Sequence, residues 1–139
     1  MQQASEHNFS QEKAIIIKTL EGFDVITLAF VFGSVATQKA GFDSDLDIAI
    51  LTTIKLGDAL KLQVINALAE STGRSVDLVD LREVGEPLLG QIVQHGAMLI
   101  GNNTQKANLL TKHLLDVADF MPYKTRILAE RRNQWISKL

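Results

Sequence analysis

At 139 residues with 46% hydrophobic side chains, the chain has the size of one ordinary domain, expected over 1–139, and can bury a core unaided. It has no cysteine, which excludes disulfides and thiolate metal sites and leaves carboxylates or histidines as metal-binding side chains. A formal net charge of −2 excludes coating of nucleic acid by bulk electrostatics, so no direct nucleic-acid binding is expected.

The first predicted element is a helix capped by Ser10, carrying Ile15, Ile16 and Leu20 on one side and stopped by Gly22. Val25 to Phe32 is β-branched and aromatic without a charge, the pattern of a strand covered on both faces. It is too short to cross a membrane, and the polar start Met1 to Ser10 lacks the layout of a signal peptide; no membrane association and a cytoplasmic address are expected. Gly33-Ser34 ends the strand, Ala36 to Ala40 can form a short helix, and Gly41-Phe42-Asp43-Ser44 reads as a turn before a second strand from Asp45 to Leu51.

From Asp58 the residues Leu60, Val64, Ala67 and Leu68 mark an amphipathic helix closed by Gly73. Ser75 to Leu81 reads as a third strand. Glu86 to His95 reads as a short helix with Pro87 in its first turn and Gly96 as its stop, and Ala97 to Ile100 as a brief apolar run. After the turn at Gly101-Asn102-Asn103, residues 105–138 are helical in pattern with a break at Pro122. Lys124 to Leu139 carries a net +4, leaving −6 on the rest, an asymmetry that suits a docking surface for an acidic partner or RNA, or equally the solvated face of a terminal helix. Tyr123 and Trp135 can anchor an interface or pack on the domain itself. The sum is an α/β (α+β) domain: a small mixed sheet of about four strands flanked by helices, with its core at about 10–101 and a helical C-terminal segment.

Phe32-Gly33-Ser34 stands where a buried strand gives way to a helix start. Backbone N–H groups there attract phosphate oxygens, glycine admits the phosphate closely and the serine hydroxyl adds a donor. Alone, a Gly-Ser after a strand is more often a simple turn. Ten residues after Ser34 comes Asp45-Leu46-Asp47, where strand alternation puts both carboxylates on one face. Two such carboxylates repel unless a cation lies between them, and hard oxygen ligands favour Mg²⁺ or Mn²⁺. A two-metal site needs a third carboxylate. Asp77 and Asp80 face opposite sides of a regular strand, so one of them can join; Asp77 is chosen, with Asp80 a strand-end or turn carboxylate.

Gly33-Ser34, ten residues, then Asp45-Leu46-Asp47 resembles the GSx10DxD signature of the DNA polymerase β-like nucleotidyltransferase superfamily. The short chain, with Ser75 to Leu81 followed by Leu88 to Ile100, resembles that group's minimal nucleotidyltransferases. The likeness runs from about Val25 to Ile100. It implies a polymerase β-like fold, two Mg²⁺ ions and transfer of a nucleoside monophosphate from an NTP to a hydroxyl. By the same resemblance Gly33 and Ser34 match the nucleotide-binding turn, Asp45 and Asp47 the paired metal ligands, and Asp77 the third metal ligand and catalytic carboxylate.

Minimal nucleotidyltransferases of this kind are similar to the antitoxin halves of HEPN–MNT pairs, in which AMP from ATP is attached to a tyrosine of the HEPN ribonuclease toxin within a hetero-oligomeric complex. The resemblance therefore implies an AMPylating antitoxin of a type VII-like system with a HEPN toxin as partner. The alternatives are nucleotidylation of a small molecule such as an aminoglycoside, or neutralisation of a toxin by steric blockade. His7, His95 and His113 lack ligand spacing and read as surface or helix-end residues; Lys39 and Arg74 can reach phosphates but are more often solvated cations.

Overall fold

A computed structural model describes residues 2–36 and 44–119. The basic tail, Pro122, Tyr123, Trp135 and Lys39 lie outside the described residues. The order is α1 (Gln2–Glu21), β1 (Ile26–Phe32), α2 (Gly33–Ala36), β2 (Leu46–Thr52), α3 (Asp58–Thr72), β3 (Val76–Asp80), α4 (Leu88–His95), β4 (Ala97–Ile100) and α5 (Asn103–Asp119).

One four-stranded mixed sheet, ordered β3-β2-β1-β4, organises the fold. β1 is antiparallel to both β2 and β4, while β2 and β3 run parallel. The apolar β1 is thus an interior strand, and its alternation serves two cores. Ala29 and Val31 face a layer formed with Ile16 and Leu20 of α1, Leu46, Ile48 and Ile50 of β2, Val64 and Leu68 of α3 and Leu78 of β3. Leu28 and Phe30 face the opposite layer, with Ala49, Leu81, the α4 residues Leu89, Ile92 and Val93, and Leu109 of α5. Each of the Val, Leu, Ile and Phe side chains removed from water contributes about 1.5–3 kcal/mol.

Four expectations need correction. Ser10 does not cap the first helix but lies within α1, because the residues before it, Gln2-Gln3-Ala4-Ser5-Glu6, favour continued helix. Ile15 is 43% exposed, so only Ile16 and Leu20 of the expected stripe reach the core. The last helix starts before Gln105: the Asn102 side chain accepts from the Gln105 N–H at 2.9 Å and the Gln105 side chain accepts from the Asn102 N–H at 3.0 Å. This reciprocal capping box satisfies two backbone donors that the first helical turn leaves open. The short helix after β1 starts at Gly33 rather than Ala36. The other elements match their expected places within one or two residues at each end, and among the described residues no helix is long and apolar enough to cross a membrane.

Candidate active site

The motif residues gather at one end of the sheet. β1 ends at Phe32, β2 begins at Leu46 and β3 begins at Val76. Asp47 pairs with Phe32 on one side and with Asp77 on the other. Leu46, Ile48, Val76 and Leu78 pack into the α1/α3 layer, so alternation turns Asp47 and Asp77 to the opposite face, the one α4 covers. Asp80 has the parity of Leu78 and turns away; its carboxylate accepts from the Arg82 N–H at 2.9 Å, a strand-end turn contact. β3 is the sheet edge and Asp77 is exposed, so its position reflects register beside Asp47 rather than any need to relieve a buried charge.

Gly33 has φ +71°, and a Cβ there would collide with Oδ2 of Asp47. The strand-end turn and the motif carboxylate are therefore in immediate contact. Asp47 is half-buried while Asp45 is exposed at the entrance to β2. Burial, and then the negative charges of Asp77 and Asp45, hold the Asp47 carboxyl above the usual aspartate range. Among the described residues no three His, Cys, Asp or Glu side chains are drawn close enough to hold an ion as they stand; Asp45, Asp47 and Asp77 are electrostatic neighbours rather than a closed cage.

Phe32, Gly33, Asp47, Asp77, Leu88, Gln91 and His95 line a cleft of about 530 Å³. Leu88, Gln91 and His95 recur at helical spacing on one side of α4, and the sequence pattern alone does not assign them to the site. Their signal is weak: Gln91 and His95 stand among the polar positions of a helix whose Leu89, Ile92 and Val93 are buried, and only the crossing of α4 over the carboxylate face gives that stripe a meaning.

Arg74 is not a solvated cation. Its side chain is 15% exposed and paired with Glu12 of α1, and it donates to the Ser44 carbonyl at 2.9 Å. On the other side of Asp45, the Leu46 N–H donates to the Ser75 carbonyl at 2.8 Å. Asp45 is thus held between two anchors. Arg74→Ala is expected to lower stability by about 1–3 kcal/mol, measured as a shift in the denaturant midpoint, because Glu12 and the Ser44 carbonyl both lose a partly buried donor.

A family model described as polymerase beta, nucleotidyltransferase matches residues 14–105. The chain is 33% identical over 102 residues to the protein adenylyltransferase MntA of Shewanella oneidensis, a match covering 73% of this chain and 68% of that protein. Among solved structures, a toxin–antitoxin crystal structure with AMP-PNP superimposes with a TM-score of 0.73 at 26% identity, covering 86% of this chain and 98% of that one. A structure of the tri-AMPylated Shewanella oneidensis HEPN toxin in complex with its MNT antitoxin gives a TM-score of 0.70 at 25% identity, over 89% and 98% of the two chains.

Proposed function

We propose that this chain, which belongs to the polymerase beta nucleotidyltransferase family, is the antitoxin of a HEPN–MNT pair and a protein adenylyltransferase that transfers AMP from ATP to a tyrosine hydroxyl of its toxin, working in the cytoplasm as part of a complex with that toxin. The observation that carries the reading is the pairing of Asp47 with Asp77 across β2 and β3, with Gly33 packed against the Asp47 carboxylate.

In this reading Gly33 and Ser34 hold the triphosphate at the end of β1. Gly33 suits the task because its lack of a side chain leaves the phosphate and the Asp47 carboxylate room to lie side by side. Asp45, Asp47 and Asp77 would hold the Mg²⁺ ions, or Mn²⁺ in their place. The donor set fits, being hard carboxylate oxygens: burial first, and then the charges of Asp77 and Asp45, raise the Asp47 pKa, and a cation relieves that repulsion. When bound, the ions supply charge neutralisation around the reacting phosphate. Asp77, exposed at the sheet edge, is open to an incoming side chain, and its carboxylate oxygen takes the proton of the tyrosine hydroxyl as that oxygen attacks the α-phosphorus. The bond to the β-phosphate breaks and pyrophosphate leaves.

Intact-mass spectrometry tests the proposal. Incubation with ATP, Mg²⁺ and the HEPN toxin is expected to add AMP-sized increments to the toxin; an active toxin that gains no mass would overturn the reading. The same assay separates the two β3 carboxylates. Asp77→Asn is expected to slow transfer by about 10²-fold or more, the range of general-base removal, whereas Asp80→Asn, whose carboxylate caps a turn on the other face, is expected to keep most of the activity.

A further inference from the structure

The register of β1 and β4 carries the end of α4 to the proposed triphosphate site. Met98 pairs with Phe30 and Ala97 with Val31, so the chain entering β4 from α4 lies beside the end of β1 that leads into Gly33. The approach is close, since a Cβ on Gly96 would lie 3.2 Å from the Val31 carbonyl oxygen. His95 is exposed, closes α4 and lines the cleft together with Gly33, Asp47 and Asp77.

Its chemistry differs from that of its neighbours. Among the described residues, the other ionisable side chains lining the cleft are the carboxylates of Asp47 and Asp77, which repel a triphosphate. Among the described residues that line the cleft, His95 is the one side chain able to carry positive charge, and it offers a ring N–H donor. Gln91, one helical turn earlier, and Leu88, two turns earlier, extend the same stripe away from the Gly33 end.

Resting on the nucleotidyl-transfer reading, we propose that His95 contacts the triphosphate, donating a ring N–H to a β- or γ-phosphate oxygen and holding the departing pyrophosphate against the Gly33-Ser34 turn. The bond from the α-phosphorus to its bridging oxygen leaves its electron pair on pyrophosphate, so negative charge grows at the group that faces the imidazole. A hydrogen bond there strengthens as the reaction proceeds.

The test is a titration of wild type, His95→Ala and His95→Gln with a non-hydrolysable ATP analogue and, separately, with AMP, both in the presence of Mg²⁺. His95→Ala is expected to weaken analogue binding about tenfold, the equivalent of one charge-assisted hydrogen bond, while AMP binding changes by less than about twofold. His95→Gln, which keeps a donor, is expected to recover part of the loss. Both variants should melt with the wild type, since the side chain is exposed. Unchanged analogue binding, or an equal loss for the analogue and AMP, would overturn the assignment. A wild-type protein that binds neither nucleotide would overturn the nucleotidyltransferase reading and this contact with it.

Discussion

Asp47→Asn is expected to reduce AMP transfer by at least about 10³-fold while making the fold more stable at neutral pH. The loss of activity follows from position: Asp47 pairs with Asp77 and touches the Gly33 turn, so its carboxylate joins the metal-binding and phosphate-binding halves of the proposed site, and removal of one preorganised charge there carries a penalty at the upper end of single-group effects. The gain in stability follows from the raised pKa, caused by burial and by the charges of Asp77 and Asp45. Below the ordinary aspartate pKa both the folded and the unfolded chain hold the proton, and ionisation contributes no penalty. As pH rises, the unfolded chain releases its proton first, and stability falls until the folded-state pKa has been passed. The asparagine variant has no such loss. Its thermal midpoint should exceed that of wild type at neutral pH and converge with it at about pH 3, below the unperturbed carboxyl value. Mg²⁺ should raise the wild-type midpoint by mass action and leave the variant nearly unmoved. A variant that retains transfer would remove Asp47 from the site. A toxin still neutralised by Asp45→Asn with Asp47→Asn would favour steric blockade over catalysis.

Gly33→Ala is expected to impair both folding and catalysis. At φ +71° an L side chain costs about 1–2 kcal/mol from backbone sterics alone. The added methyl also meets Oδ2 of Asp47, and displacing a packed neighbour costs about 1–3 kcal/mol more. The thermal midpoint should fall on the order of 10 °C for a chain of this size. Because the atom that must move is the Asp47 carboxylate, the folded fraction should itself be inactive, with transfer per folded molecule reduced by about 10²-fold or more. Retention of wild-type specific activity after correction for folding would show that the turn does not need glycine for the reaction.

Most of the local structure was legible because it rests on short-range patterns. The charge-free run before Gly33, the helical spacing of Leu60, Val64 and Leu68 and the stops at Gly73 and Gly96 appear where the sequence put them. The misplaced boundaries share a cause. Ser10 is chemically a good cap, yet it lies inside a longer helix, and Asn102 with Gln105 make the cap that the Gly101-Asn102-Asn103 turn concealed. Capping residues are competent in several places, and flanking helix propensity selects among them. Ile15 shows a similar limit: apolar character does not specify which side of α1 meets the sheet.

By itself the sequence determined the chemistry available at the site: a glycine-serine strand end, two carboxylates on one face of the next strand and two further carboxylates of opposite parity. These are properties of a single strand, set by side-chain alternation, and they hold whatever the strand packs against. The tertiary structure decided which of them meet. The parallel pairing of β2 with β3 sets Asp77 beside Asp47 and turns Asp80 away. The antiparallel pairing of β1 with β4 brings the end of α4 to the end of β1, and His95 lines the same cleft as Gly33. Neighbour choice and register depend on how α1 and α3 cover one face and α4 and α5 the other, a matter of long-range burial that no stretch of contiguous residues encodes.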